Sequence, residues 1–209
     1  MKICEIFYSI QGEGVTMGIP TTFIRTSGCN LDCTWCDTSY ARDEGKEMSL
    51  RQIIDEIETF GCWQVCITGG EPMCQPETPK LIDILLEKGF TVTLETNGSK
   101  SLEKIVCSDS LMISMDIKCP SSGQSDKMDK SNIELLGPTD QLKFVIADKK
   151  DYLYARQIMK ENELVCAVVM MPVWGFDISE LVAWVLKDKL EVRVLPQLHK
   201  LIWDGERGH

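Results

Sequence analysis

The chain has 209 residues, 44% of them hydrophobic and 26% charged, which fits one globular domain over 1–209 with a sizeable core. No apolar run is long enough for a membrane span. A net charge of -10 disfavours direct action on nucleic acid, because a phosphate backbone is gripped by clustered Lys and Arg that release counterions. The start, Met1-Lys2-Ile3-Cys4-Glu5, has neither an apolar h-region nor a small-residue cleavage site. The ten cysteines are therefore assigned to a reducing cytoplasm, not to a disulfide framework, and most are read as small buried hydrophobes.

In chain order, short runs rich in β-branched residues predict strands over 21–26, 64–68, 90–95, 111–117, 142–146, 164–170 and 191–195. A helix is predicted over 49–60, with Ser49 and Gln52 as a capping box, Leu50, Ile53, Ile54 and Ile57 on one face, and Gly61 as the stop. Further helices are expected over 77–88, over 150–161, and from Asp177, where Glu180 follows three residues on. The polar stretch 120–130 is predicted as a long surface loop. Strands alternating with helices give an α/β fold with a parallel sheet and right-handed crossovers, either doubly wound or curled toward a barrel. Six or so units fall short of a full eight-unit barrel.

The run Gly28-Cys29-Asn30-Leu31-Asp32-Cys33-Thr34-Trp35-Cys36 carries the most chemistry. Three thiolates on one loop can each hold one iron of a 4Fe-4S cube and leave the fourth iron without a protein ligand. That open iron can chelate the amino and carboxylate groups of S-adenosylmethionine, which points to radical generation. The competing reading is a structural zinc site, but such sites close a tetrahedron with a second ligand pair, and none follows here. Zinc would need one of Cys4, Cys62, Cys66, Cys74, Cys107, Cys119 or Cys166.

Ligands of such sheets gather at the carboxyl ends of the strands. Ile67-Thr68-Gly69-Gly70-Glu71-Pro72 ends the second predicted strand, where two glycines let backbone approach a ligand and a carboxylate could accept from an ammonium. Glu95-Thr96-Asn97-Gly98 and Asp116-Ile117-Lys118 end the next two. Taken alone, a Gly-Gly turn is more often turn chemistry than a ligand site, and polar strand ends are solvated edges about as often as they are ligand contacts.

Cys29, Cys33 and Cys36, with Trp35 before the last and Gly69-Gly70-Glu71-Pro72 further on, resemble the radical S-adenosylmethionine superfamily. Ser9-Ile10-Gln11-Gly12-Glu13-Gly14, Phe23-Ile24-Arg25, Cys36-Asp37-Thr38 and Val194-Leu195-Pro196-Gln197-Leu198-His199 narrow the resemblance, across essentially the whole chain, to the 7-carboxy-7-deazaguanine synthase family. The resemblance implies an incomplete (βα) TIM-like barrel of roughly six parallel strands with outer helices, usually a homodimer. It implies conversion of 6-carboxy-5,6,7,8-tetrahydropterin to 7-carboxy-7-deazaguanine with loss of ammonia, on the route to queuosine or related deazapurines. A 4Fe-4S cluster, S-adenosylmethionine and Mg2+ are the implied cofactors, with flavodoxin or ferredoxin as electron donor. A 5′-deoxyadenosyl radical would take hydrogen from C6 of the pterin and be returned to the cofactor.

By the same resemblance, Thr38 reaches the Mg2+, as suits a hard cation with oxygen ligands. Arg25 holds the pterin carboxylate, a task matched to its planar fork; the competing reading from pattern alone is a surface ion pair. Ile10, Gln11, Gly12 and Glu13 face the pterin edge, Thr68 adds a hydroxyl, and His199 and the tail to His209 close over the site. Gly69, Gly70, Glu71, Glu95, Asp116, Ile117 and Lys118 contact S-adenosylmethionine; some relatives carry Ser-Pro-Lys where this chain has Asp116-Ile117-Lys118. Two other classes share features: a glycyl-radical-enzyme activating protein has the cysteine spacing but no reason for Gln11 to Gly14, and a non-catalytic iron-sulfur or zinc module has no reason for the glycine-rich segment or Arg25.

Overall fold

The computed structural model describes residues 1–208. Nine strands form one open sheet: β1 (Lys2–Ile10), β2 (Pro20–Thr26), β3 (Lys46–Glu47), β4 (Gln64–Gly69), β5 (Thr91–Thr96), β6 (Leu111–Ile117), β7 (Gln141–Ile146), β8 (Ala167–Pro172) and β9 (Arg193–Val194). Their order is β3-β1-β2-β4-β5-β6-β7-β8-β9, so β3 and β9 are unjoined edges. From β2 to β9 every neighbour is parallel, while β1 runs antiparallel to both β2 and β3. The curl is an incomplete barrel.

Helices α1 (Leu50–Glu58), α2 (Thr78–Glu87), α3 (Lys149–Glu161) and α4 (Ile178–Asp188) fall where the sequence predicts them, and α5 (Leu198–Trp203) follows β9. At α1 the capping box forms: Ser49 Oγ accepts from Gln52 N at 3.3 Å and Gln52 Oε1 accepts from Ser49 N at 2.9 Å. The helix ends two residues early, at Glu58, with Gly61 in the left-handed region just beyond.

β1 was not among the predicted strands, and its irregularity explains why. A bulge between Ile3 and Glu5 breaks the alternation that marks a half-buried strand, and beyond it Glu5 lies opposite Arg25. The segment 120–130 corrects the surface-loop expectation. Ser122 is 1% exposed and Gln124 9% exposed, and both bond to the cysteine loop.

Successive side chains point to opposite faces of each strand. One face of β2 and β4 to β8 carries Ile24, Ile67, Leu94, Met115, Phe144 and Met170, which join the core cluster with Ile53, Ile57, Leu81, Leu85, Tyr152 and Leu181 of the helices. The other face carries Arg25, Thr68, Glu95, Ser114, Asp116 and Lys143, which line a single cavity inside the curl. Pairing aligns them in rows, with Arg25 opposite Thr68, Glu95 opposite Ser114 and Asp116 opposite Lys143.

Ser49→Ala removes an exposed cap, and the expected cost is about 1 kcal/mol of folding stability. Urea unfolding at fixed cluster content checks this, and an unchanged midpoint would assign the box no energetic role.

Candidate active site

The cavity, about 360 Å³, opens at the carboxyl ends of the parallel strands. Its wall includes all three cysteines of the loop, together with Arg25, Thr38 and His199. Cys29, Cys33 and Cys36 are free thiols, and burial pushes the first two up in pKa. Among the described residues no three His, Cys, Asp or Glu side chains converge on a single-ion site. A cube takes one thiolate per iron, so its ligands need not meet at a point. Three unpaired thiols on one wall of one cavity suit that donor set.

The glycines behind the cysteines serve a different end from the one expected. A Cβ on Gly70 would collide with the Gly28 carbonyl, and one on Gly69 with the backbone of Thr26, so this room is filled by the chain itself. Gly70 N donates to Thr26 O at 3.1 Å and Glu71 N to Gly28 O at 2.8 Å. Glu71, expected to accept from an ammonium, is fully buried and already engaged. Its Oε1 accepts from Met73 N at 2.9 Å and Thr96 Oγ1 at 2.7 Å, and its Oε2 from Asn97 N at 2.6 Å. Burial raises its pKa despite these donors. Glu71 braces the segment after β5, where Asn97 Nδ2 reaches Asn30 Oδ1 at 3.4 Å and Cys29 Sγ at 3.9 Å. Ile117, also expected at the cofactor, turns its side chain into the helix-facing core.

Arg25 donates through Nε to Glu5 Oε1 at 2.6 Å, and its guanidinium lies 5.5 Å from the centre of the Phe7 ring. Next in the row, Thr68 Oγ1 donates to Glu95 Oε2 at 3.0 Å, and Gln11 Nε2 donates to Glu95 Oε1 at 3.4 Å. Lys118 Nζ donates to Asp116 Oδ2 at 2.9 Å, whereas Asp116 Oδ1 is buried with no partner among the described residues. An acceptor so placed suits a hydroxyl or ammonium donor of a bound molecule. Lys143 Nζ donates to Glu13 Oε2 and sits 3.7 Å from Asp116 Oδ2. Burial opposes the Lys143 charge, but Glu13, Asp116 and Glu95 hold its pKa well above the ordinary value. Burial also opposes the Glu13 charge, yet Lys143, His199 and Gln197 bring its pKa down to about 2.

The carboxyl-terminal segment closes the cavity. Leu198 N donates to Gly12 O at 2.9 Å, and a Cβ on Gly12 would strike the His199 ring. The Gly12 carbonyl, expected at the pterin edge, thus already has a donor. His199 Nε2 and Lys200 Nζ approach Asp37 Oδ2 at 3.8 and 3.2 Å, and Thr38 Oγ1 donates to Asp37 Oδ1 at 2.9 Å. Burial would raise the Asp37 pKa, but His199, Lys200 and Thr38 hold it far below the carboxylate range. Arg207 pairs both nitrogens with Glu44 at 2.9 and 3.0 Å and stacks 3.4 Å from the centre of the Tyr40 ring. His209 lies outside the described residues.

Of the expected side chains, Ile10, Gln11, Glu13, Arg25, Thr68, Glu95, Asp116, Lys118 and His199 meet around this cavity with Thr38 and the thiols. Sequence reading missed Glu5, Asp37, Tyr40 and Lys143. Lys143 had a signal: a lone cation within an apolar strand, facing the same side as Asp116 and Arg25.

A family model for the radical SAM superfamily matches residues 23–118. The chain is similar to 7-carboxy-7-deazaguanine synthase of Thermoplasma acidophilum, at 38% identity over 208 residues and the full length of both chains. It is also similar to the enzyme of that name from Methanospirillum hungatei, at 39% identity over 97% of this chain and 85% of that protein. The crystal structure of QueE from Escherichia coli shares the fold, with a TM-score of 0.78 at 22% identity, covering 95% of this chain and 94% of that one.

Glu71→Ala orphans two buried donors, Thr96 Oγ1 and Asn97 N, and the half-buried Met73 N; each buried bond left unmade costs about 1–3 kcal/mol, so a loss of at least about 2 kcal/mol in unfolding free energy is expected by denaturant titration. Glu13 binds its proton more weakly folded than unfolded, so its stabilisation is complete above the ordinary 4.5 and lost as pH falls toward 2. The stability advantage of wild type over Glu13→Gln is expected to shrink across that window; urea midpoints that stay parallel would refute it.

Proposed function

The chain belongs to the 7-carboxy-7-deazaguanine synthase family of radical S-adenosylmethionine enzymes, and on that footing we propose that it converts 6-carboxy-5,6,7,8-tetrahydropterin to 7-carboxy-7-deazaguanine with loss of ammonia. The carrying observation is one cavity lined both by three free thiols and by Arg25, whose fork is hydrogen-bonded among the described residues at Nε alone. The thiols are the ligands for a 4Fe-4S cluster, and Asp116 Oδ1, Glu95 and Lys118 offer polar groups to S-adenosylmethionine. Together, when bound, these two would supply the radical chemistry that activates a C–H bond of the substrate.

The protein's own part is positioning. Arg25 presents its two Nη nitrogens to the substrate carboxylate, the geometry of a bidentate charge-assisted pair. Glu13, kept anionic by Lys143, accepts from the amino and ring N–H groups of the pterin. Gln11 spans the two regions by bonding to Glu95. The segment from Gln197 to Gly208 covers the mouth and excludes water from a reactive radical. Thr38, a cavity-lining hydroxyl beside Asp37, is the oxygen ligand offered to Mg2+. A flavodoxin or ferredoxin as electron donor, and a cytoplasmic homodimer, complete the reading.

Anaerobic reconstitution with reductant, Mg2+, S-adenosylmethionine and the carboxypterin is expected to yield 7-carboxy-7-deazaguanine by mass spectrometry. Arg25→Ala is expected to retain its iron and lose turnover at least about 100-fold, as befits a bidentate ion pair. Appearance of 5′-deoxyadenosine without the deazaguanine in wild type would remove the pterin assignment and leave the radical chemistry.

A further inference from the structure

The fork of Arg25 is not free to choose its orientation. Glu5 is its cross-strand partner just past the β1 bulge, and one oxygen, Glu5 Oε1, accepts both from Arg25 Nε at 2.6 Å and from Tyr40 Oη at 2.8 Å. The Phe7 ring, itself stacked on Phe23 with centres 4.9 Å apart, supports the guanidinium. Tyr40 is held in turn by Arg207 above its ring. With Nε taken, both Nη nitrogens are left without a partner among the described residues, on the wall of the cavity. We propose that Glu5, with Tyr40, is the positioning residue for Arg25: it aims the guanidinium so that its Nη edge reads a carboxylate, and it thereby sets the preference for a carboxylated substrate.

This rests on the substrate reading above and extends it to residues outside the pocket's recognised motifs. The alternative position for the guanidinium is visible. Glu95 is the other carboxylate that acts on Arg25, along the same inner face. Without Glu5 the fork has Glu95 as its remaining anionic neighbour and turns its donors toward it, away from an incoming carboxylate. A free Arg side chain also carries rotamer entropy that binding must then remove. Glu5 therefore acts by orientation, although deleting its charge leaves the pocket more positive. Simple electrostatics predicts tighter carboxylate binding to a Glu5 variant, and the positioning role predicts weaker binding.

The test is equilibrium binding to the reconstituted enzyme, without reductant, of 6-carboxy-5,6,7,8-tetrahydropterin and of tetrahydropterin lacking the carboxylate. Wild type is expected to prefer the carboxylated ligand. Glu5→Ala should weaken that ligand about 10- to 100-fold, the range for a charge-assisted hydrogen bond, and leave the other within about twofold. Glu5→Gln, which keeps an acceptor and the shape, should fall between, and Tyr40→Phe should move in the same direction. In an Arg25→Ala background, Glu5→Gln should change nothing further, because the effect travels through Arg25. Unchanged or tighter carboxypterin binding in Glu5→Gln and Glu5→Ala overturns the inference alone, as does an equal loss in the Arg25→Ala background. Wild type that binds both ligands equally overturns the substrate reading and this inference with it.

Discussion

The parallel register of β2, β4, β5, β6 and β7 is the constraint on which the site depends. Side chains alternate along a strand, so a one-residue slip in any pairing would send its inward set into the helix-facing core. Burying Arg25, Glu95, Asp116 or Lys143 there without partners would cost several kcal/mol each, of order the whole stability of a domain. The apolar demand of one face therefore holds the polar groups of the other in line. Arg25, Thr68, Glu95 and Ser114 follow one another across the sheet because Ile24, Ile67, Leu94 and their neighbours must face the helices.

Charge is distributed within that frame as a mesh of shared carboxylates. Glu5 serves Arg25 and Tyr40; Asp116 serves Lys118 and Lys143; Asp37 serves His199, Lys200 and Thr38. Each buried cation thus has an anion, the condition under which ionised groups survive away from water. Asp116 Oδ1 stands apart from these shared oxygens, a buried acceptor on the cavity wall with no donor among the described residues. Such an atom is tolerable where a ligand brings the missing donor.

Much of this was legible from the chain. β6 runs over the same seven residues that its apolar pattern marks, Leu111–Ile117, because it is central and buried against helices. The capped helices were equally plain, since Ser49 and Asp177 do locally what their types predispose them to do. What stayed hidden depended on distant partners. The β1 bulge destroys a local period to bring Glu5 opposite Arg25. Ser122 and Gln124 look solvent-loving until the cysteine loop supplies their partners. Gly69 and Gly70 announce close approach, and only the fold tells that the approaching group is the backbone of Thr26 and Gly28. Asp37, Tyr40 and Lys143 became part of the site through pairing with residues far away in the sequence, which no window of sequence contains.

The cysteine loop has few bonds of its own and borrows its shape from remote chain. Thr34 N and Oγ1 both donate to Ser122 O, at 3.1 and 3.2 Å across 88 residues, and Gln124 Nε2 donates to Asp32 O at 3.0 Å across 92. Closing such long loops is entropically costly and slow compared with forming α1 or the β1–β2 hairpin. During synthesis the three thiols therefore emerge well before the segment that shapes their loop, and stay exposed to oxidation in that interval. The native shape of the thiol loop therefore waits on residues 122 and 124, which follow β6 in the chain.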